Sequence, residues 1–340
     1  MRRSPGTGIH AGSSTRRRPA GRRRPAGRRR RGLTAITALL LVVVTFAVGA
    51  CQSDSEAAAV DRIWFEAATT DGQNWELMRR IREVDPCALV PRSALEEHGA
   101  VREVRVGSAM IAACRATVAD ASTELEISWT LARAPGGSAV EEDRRVGEVA
   151  VEVLEPGNGD TAGNEVNACW VTAQFPSMAQ ILLTVKAPPG TDTCGVGDTL
   201  IDTAIAQLPT SPPYGTSPDT SRSVLTGADP CEILPEIGAT PTLPVVENQL
   251  VQSCRTGEGL AATIAYEYQD AGEIFHDEIT TIGGRQVFVL RFGEGEQIGY
   301  SFVAGPPVAA NMVPVVSVLG SDQPLVERAR DALMRKYPAA

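Results

Sequence analysis

Two stretches of the chain match each other and decide its architecture: Asp85–Pro91 reads DPCALVP, and Asp229–Pro235 reads DPCEILP. Each is followed by a second cysteine that stands directly before an arginine, Cys114 in the first copy and Cys254 in the second. Motifs that recur in the same order indicate that a structural unit has been repeated. The sequence therefore predicts two modules of one kind.

The residues around each motif predict how a module folds. An Asp-Pro pair opens a short helix, because Asp caps the first turn and Pro fits the first helical position. Strands with alternating apolar residues follow, such as Glu124–Leu131 and Ala262–Tyr268. Each copy closes with a helical pattern, Gly197–Leu208 or Leu325–Tyr337. We expect an α+β fold in which each module is an antiparallel sheet of about five strands flanked by an N-terminal and a C-terminal helix.

Composition sets the predicted boundaries. We expect a signal peptide in residues 1–50, a spacer and helical extension in 51–83, module one in 84–208, a linker in 209–228 and module two in 229–338. The linker is predicted because its stretch is rich in Pro, Ser and Thr, a composition that does not build a core. The modules would then be two bodies joined by a semi-stiff segment.

The N-terminal region predicts export and lipidation. Twelve arginines and no acidic residue precede an uncharged apolar run, Leu33–Ala50, that ends directly before Cys51. This is the layout of an export signal, and the run is short for a membrane span, which needs about 20 residues. The small residues before Cys51 resemble the lipobox of bacterial lipoproteins. That resemblance implies a diacylglyceryl group on Cys51, with acyl chains such as palmitate, and an anchor on the extracytoplasmic face of the cell membrane. The alternative is an uncleaved signal anchor.

The charge balance after the anchor excludes one class of partner. Residues 1–50 hold 12 of the 32 basic residues and none of the 41 acidic ones. The remainder therefore has 20 basic against 41 acidic residues, a net charge of −21. Such a chain does not bind nucleic acid through phosphates.

The repeat also predicts how the cysteines pair. Six cysteines follow Cys51, and an even number in an exported protein indicates disulfides. Each module holds one Asp-Pro-Cys and one Cys-Arg, and the two extra cysteines of module one are both absent from module two, as expected of a bonded couple. The predicted bonds are Cys87–Cys114, Cys169–Cys194 and Cys231–Cys254. The alternative is free, buried thiols.

Residues with catalytic or ligand-binding chemistry are few. His98 and His276 are the only histidines after the N-terminal tail, and neither lies in a known catalytic or zinc-binding motif. The acidic run Glu141–Asp143 could hold calcium, but a solvated loop is favoured. The glycine-rich Gly293–Gly299 is interpreted as a hairpin turn rather than a phosphate loop. We expect no catalytic residue, no metal and no cofactor.

The ordered set of motifs resembles one family. The D-P-C…C-R pattern, the later Cys169-Trp170 with Cys194, the closing helix and the lipobox are together similar to actinobacterial cell-envelope lipoproteins that share a domain of unknown function. The resemblance implies an outer-face location and a compact α+β domain of the Mog1/PsbP-like kind. It supplies no catalytic residues.

These observations lead to one favoured function and two alternatives. We expect a non-enzymatic binding or scaffold module, tethered to the membrane through its diacylglyceryl-cysteine, that presents two domains to an envelope protein or a cell-wall component. A flexible linker would permit engagement at two sites. The alternatives are an accessory subunit of a cell-wall enzyme and a carrier of lipid or a small ligand in a cavity between sheet and helix.

Overall fold

The fold contains two antiparallel sheets that follow one another along the chain. It was determined as a computed structural model that describes residues 60–107, 110–119, 123–134, 142–155, 167–242, 251–257, 261–293, 296–309 and 311–338. Within these residues each sheet has seven antiparallel strands and is accompanied by helices, which agrees with the predicted α+β class.

The first sheet belongs to module one. Its strand order is β1-β2-β3-β7-β6-β5-β4, with every neighbouring pair antiparallel. The strands are β1 (Ala100–Val106), β2 (Ala113–Ala119), β3 (Glu124–Arg133), β4 (Arg144–Val146), β5 (Val149–Leu154), β6 (Asn167–Gln174) and β7 (Ala179–Ala187).

The second sheet belongs to module two and repeats this arrangement. Its order is β11-β12-β13-β14-β10-β9-β8, so the last strand again pairs with an early, central one. The strands are β8 (Pro241–Thr242), β9 (Ser253–Thr256), β10 (Ala262–Asp270), β11 (Glu278–Ile282), β12 (Arg285–Phe292), β13 (Gln297–Val303) and β14 (Met312–Gly320).

Four α-helices are present in the described part of the chain: α1 (Asp71–Glu83), α2 (Arg92–Glu96), α3 (Thr193–Gln207) and α4 (Gln323–Lys336). The closing helix of each module lies on one face of its own sheet, α3 on β6 and β7 and α4 on β13 and β14. Asp192 and Asp322 cap these helices by accepting amide hydrogens of the first turn. Apolar residues on that inner face of each sheet form the two large cores.

The predicted count of five strands per module is wrong, and tight turns are part of the reason. The alternating patterns Val146–Leu154 and Ile282–Leu290 each predict one strand, but each spans a hairpin turn between two strands. Gly147 adopts a φ of 59° between β4 and β5, and Gly283 and Gly284 adopt 57° and 82° between β11 and β12. Positive φ values at the turn fold the chain back into an extra strand.

The predicted opening helix is also only partly present. In module one the Asp-Pro pair starts a single 3₁₀ turn, Pro86–Ala88, and α2 follows it. In module two residues 230–238 form successive turns rather than a regular helix. Pro235 has no amide hydrogen to donate, so a continuous helical ladder is interrupted there.

Residues 209–228, here called the strap, do not form the open linker that their composition predicts. The Pro209 and Pro212 carbonyls accept hydrogen bonds from the amides of Asp61 and Asp85, both at 2.7 Å. Farther along, Asp219 pairs with Arg92 at 2.6 Å. The strap therefore packs along module one instead of separating two independent bodies.

One buried side chain joins α1 of the N-terminal extension to module two. The side chain of Arg82 is 3% exposed, yet its Nη2 lies 3.2 Å from a carboxylate oxygen of Asp229. Its Nη1 donates to the Val251 carbonyl at 3.2 Å. Burial lowers the pKa of Arg82, and the charge of Asp229 opposes that shift. The described residues from Val60 onward accordingly belong to one compact unit.

Candidate functional site

The predicted anchor residues lie outside the described part of the chain. This applies to the signal peptide, to the apolar run before the cysteine and to Cys51 itself. Among the residues that the structure describes, no helix is both long and apolar enough to cross a membrane.

The six remaining cysteines form the three bonds that the repeat predicted. The paired Cα atoms are separated by 5.1 Å in Cys87–Cys114, 5.2 Å in Cys169–Cys194 and 5.2 Å in Cys231–Cys254. The first and third bonds fix the Asp-Pro-Cys turn to β2 and β9. The second fixes β6 to the first turn of α3. Each module is thus stapled within itself.

The two histidines have structural surroundings. His98 lies in the turn after α2, and its Nε2 is buried with no hydrogen-bond partner in the described residues. The Nδ1 of His276 is 2.6 Å from the Ile274 carbonyl, and its ring packs against Phe288 with 5.3 Å between centroids. The described residues contain no group of three potential metal ligands.

The other motifs from the sequence also occupy turns. Asp143 accepts a hydrogen bond from the Val153 amide at 2.7 Å, and Glu142 pairs with Arg145, whereas Glu141 lies outside the described residues. Gly293–Gly299 joins β12 to β13 as the predicted hairpin, although two of its residues are not described.

The most distinctive surface is the outer face of the first sheet, opposite α3. Residues that are paired across adjacent strands point to the same face. One line of such partners crosses the sheet and is here called the outer row. It consists of Arg105 (β1), Arg115 (β2), Ser128 (β3), Thr184 (β7), Trp170 (β6) and Leu154 (β5).

Trp170 and Leu154 form the apolar end of this row. The preceding Cys169 is fully buried on the inner face because it bonds to α3, so strand alternation places Trp170 on the outer face. The indole is 42% exposed, and its partner Leu154 is 52% exposed. By contrast, Trp64 and Trp129 are completely buried. An exposed tryptophan on a regular strand is unusual and points to a contact surface.

Arginines occupy the other end of the outer row. Arg105 and Arg115 are directly opposite each other in β1 and β2. Glu103 lies 3.4 Å from Arg105, and Glu126 pairs with Arg115. Burial lowers the pKa of Arg115, and the like charge of Arg105 lowers it further. The Nη1 of Arg105 is buried and has no hydrogen-bond partner among the described residues.

Module two carries a different set at the corresponding positions. The cross-strand pairs of the second sheet give the matching residues, beginning with the arginine after Cys254. They are Arg255, Thr263, Leu319, Gly299 and Leu290. Gly299 therefore stands where module one has Trp170. A Cβ at Gly299 would lie 3.2 Å from that of Leu319 and 3.4 Å from that of Leu290, so leucines flank the position. The exposed indole is a property of module one.

Three clefts lie beside α1 in the described part of the chain. The largest, about 460 Å³, is lined by residues that include Arg80, Glu83, Tyr214 and Arg222. The second, about 360 Å³, is lined in part by Trp75, Arg79, Arg82 and Asp229. Arg79 and Arg80 are engaged by neighbouring carboxylates.

The third cleft, about 260 Å³, is lined mostly by apolar groups, among them Ile63, Ala67 and Leu77. None of these three clefts lies between a closing helix and its sheet.

Sequence reasoning did not identify the outer row. Its residues are far apart in the chain and become neighbours only through the order of the strands. One signal was available, because the predicted Cys169–Cys194 bond turns Cys169 toward a helix and therefore turns Trp170 outward.

Comparison with models of known protein families, with curated proteins and with solved structures finds no match to this chain. The functional argument therefore depends on the geometry described above.

Proposed function

We propose that the protein is an exported lipoprotein, anchored through Cys51 on the extracytoplasmic face of the cell membrane, that acts as a non-enzymatic binding module at the cell envelope. The observation that carries this proposal is the solvent-exposed Trp170 near the apolar end of the outer row. It gives module one a rigid indole at the position where module two has Gly299.

Two further features support an envelope location. Three disulfides are typical of an oxidising compartment. The acidic charge of the chain after residue 50 leaves an envelope protein or a cell-wall component as the partner class, rather than nucleic acid. The closing helices, each covering one face of its sheet, support the Mog1/PsbP-like fold that belongs to the same proposal.

The alternatives have less support from the geometry. A lipid carrier needs an apolar cavity of about 300 Å³ or more. The largest cleft beside α1 is lined by Arg80, Glu83 and Arg222, and the apolar one has a volume of only about 260 Å³. An accessory role beside a cell-wall enzyme is compatible with the outer row, which would then contact that enzyme. Native mass spectrometry of the purified protein distinguishes a carrier from the other two functions, because a carrier retains a ligand adduct.

Two measurements test the proposal. Mass spectrometry of the unreduced protein from its native membrane should give a chain that begins at Cys51, carries acyl mass and contains three disulfides. An uncleaved N-terminus with free thiols would refute the location.

Binding is tested by sedimentation of the soluble protein, residues 52–340, with isolated cell envelopes. We expect Trp170→Ala to lose most of the bound fraction. The matched control is Phe275→Ala, since Phe275 is an exposed aromatic of module two. Equal sedimentation of wild type and both variants would argue against the outer row as the contact surface.

A further inference from the structure

We propose that the outer row is a platform for an acidic glycan, with one sugar ring stacked on Trp170 and an anionic substituent held by Arg105 and Arg115. This inference rests on the proposed binding function and names the chemistry of the partner. It is carried by the exposed indole, the hydroxyl groups beside it and the arginine pair at the far end of the row.

The surroundings of Trp170 match the two-sided chemistry of a sugar. A pyranose ring has an apolar face of C–H groups, which packs on a flat indole, and a rim of hydroxyls that both donate and accept hydrogen bonds. Thr184 and Ser128 follow Trp170 in the row and supply hydroxyls of the same dual capacity. Both side chains are partly exposed, so a ligand on the face can reach them.

The row is long enough for a chain of sugars. From Trp170 on β6 it crosses β7, β3 and β2 to reach Arg105 on β1. Four steps between neighbouring strands span about 19 Å. A linear glycan lying across the strands would therefore contact the indole and the arginines with different rings.

The arginine pair is a local group of positive charges, in a chain that is acidic as a whole, to which an anion of the ligand would bind. Two guanidinium groups on adjacent strands repel each other, and Glu103 and Glu126 offset that repulsion in the unbound protein. A carboxylate or phosphate on the glycan would accept from both guanidinium groups.

The residues in and beside the outer row disfavour a protein or a lipid surface as its ligand. The centre of a protein interface is depleted of charged residues, whereas Glu103, Glu126 and Lys186 lie in the line of residues beside the outer row. A lipid surface needs a broader apolar area than Trp170 and Leu154 provide.

Tryptophan fluorescence of the soluble protein, residues 52–340, tests this inference. Trp64 and Trp129 are buried and Trp75 is half-buried, so a bound sugar acts mainly on the emission of Trp170. The probes are a hyaluronan hexasaccharide, which carries carboxylates, and chitohexaose, which is neutral. We expect the acidic probe to bind about ten-fold more tightly than the neutral one.

The variants separate the two parts of the platform. Trp170→Ala should weaken binding of the acidic probe about ten-fold, and Trp170→Phe should restore part of the loss. For Trp170→Ala binding is measured by calorimetry, because the variant lacks the reporting indole. Arg115→Gln should remove the preference for the acidic probe. Phe275→Ala is the control and should bind like wild type, and all variants should keep the melting temperature.

The results that would overturn the glycan inference differ from those that would overturn the proposed function. If wild type binds neither hexasaccharide, or if Trp170→Ala binds as well as wild type, the glycan inference is overturned. Sedimentation with envelopes that still depends on Trp170 would leave the proposed function standing. Trp170-dependent binding to phosphatidylglycerol vesicles would replace the glycan with a lipid surface.

Discussion

The two modules share a motif but use it differently. In module one Asp85 is completely buried and accepts hydrogen bonds from its own turn at Cys87 and from three donors of the strap, the amides of Gly215 and Ser217 and the hydroxyl of Thr220. In module two the same aspartate accepts from its own turn and pairs with Arg82 of α1. A repeated sequence therefore sets the local turn, while the neighbours of each copy decide what else the carboxylate holds.

Asp85 and Asp229 also differ in how far their side chains are exposed to solvent. The Asp229 side chain is 42% exposed, so water can take over its contacts. Asp85 has no such replacement, because its own side chain is completely buried and water cannot reach the carboxylate. The difference predicts that equal substitutions in the two copies have unequal costs.

The largest effect is expected from Asp85→Asn. The amide keeps the shape of the carboxylate, but its NH₂ group faces donors instead of accepting from them. A buried donor without a partner costs about 1–3 kcal/mol, so we expect the free energy of unfolding to fall by about 3 kcal/mol. Asp229→Asn should cost only about 1 kcal/mol. Urea unfolding followed by circular dichroism measures both values, and equal losses would contradict the comparison.

The second effect concerns the disulfide that only module one has. Cys169 and Cys194 are 25 positions apart, and opening a loop of that length should lower the free energy of unfolding by about 3 kcal/mol. The variant is Cys169→Ala with Cys194→Ala. Its counterpart, Cys231→Ala with Cys254→Ala, opens a similar loop and should lose a similar amount. Unfolding curves that do not change on reduction with dithiothreitol would refute this expectation.

The third effect tests the link between α1 and module two. Arg82→Met removes the donor to the Val251 carbonyl and leaves Asp229 to solvent, so we expect a loss of about 2 kcal/mol. Arg79 lies on the same helix and pairs with Glu76 and Glu83 at the surface. Arg79→Met should therefore cost less than about 0.5 kcal/mol. A thermal melt ranks the two variants, and the reverse order would show that the link does not stabilise the fold.

The smallest effect depends on pH and concerns the other carboxylate at the strap, Asp61. Burial acts to raise its pKa, but hydrogen bonds from Arg80, the Ile63 amide and Ser211 outweigh burial and lower it below the ordinary 3.8. A lowered folded pKa stabilises the fold above pH 3.8 and loses that contribution as the pH falls through the folded value.

Asp61→Asn should therefore be less stable than wild type near pH 7, by no more than about 1 kcal/mol because the pair is partly solvated. The difference should disappear in acid. Melting temperatures recorded from pH 7 to pH 2 provide the measurement, and a constant difference would exclude ionisation of Asp61 as its cause.

The sequence predicted most of the regular structure because local patterns encode it. The alternation in β3 and β10 and the closing helices are visible in a few consecutive residues. The disulfides were predictable because the repeat restricts the choice of partners. Glycines at the β4–β5 and β11–β12 turns hid two strands inside longer patterns.

Two features could not be read from local patterns. The strap has the composition of a linker, and nothing within it indicates that a buried carboxylate more than a hundred positions earlier accepts its amide hydrogens. The outer row depends on which strands are neighbours, since Ser128 and Thr184 pair only after β7 inserts beside β3. Both features arise from contacts that are distant in sequence.

The strap has a consequence for dividing the chain into separate domains. It joins the two modules, and three of its donors complete the hydrogen bonding of the buried Asp85 in the first one. Deleting the second copy at residue 208 would leave Asp85 with only its own turn. A separately expressed first domain should therefore retain residues 209–228, and trypsin should cut slowly at Arg222, the one basic residue of that segment. The segment that joins the two modules is therefore a structural part of the first one.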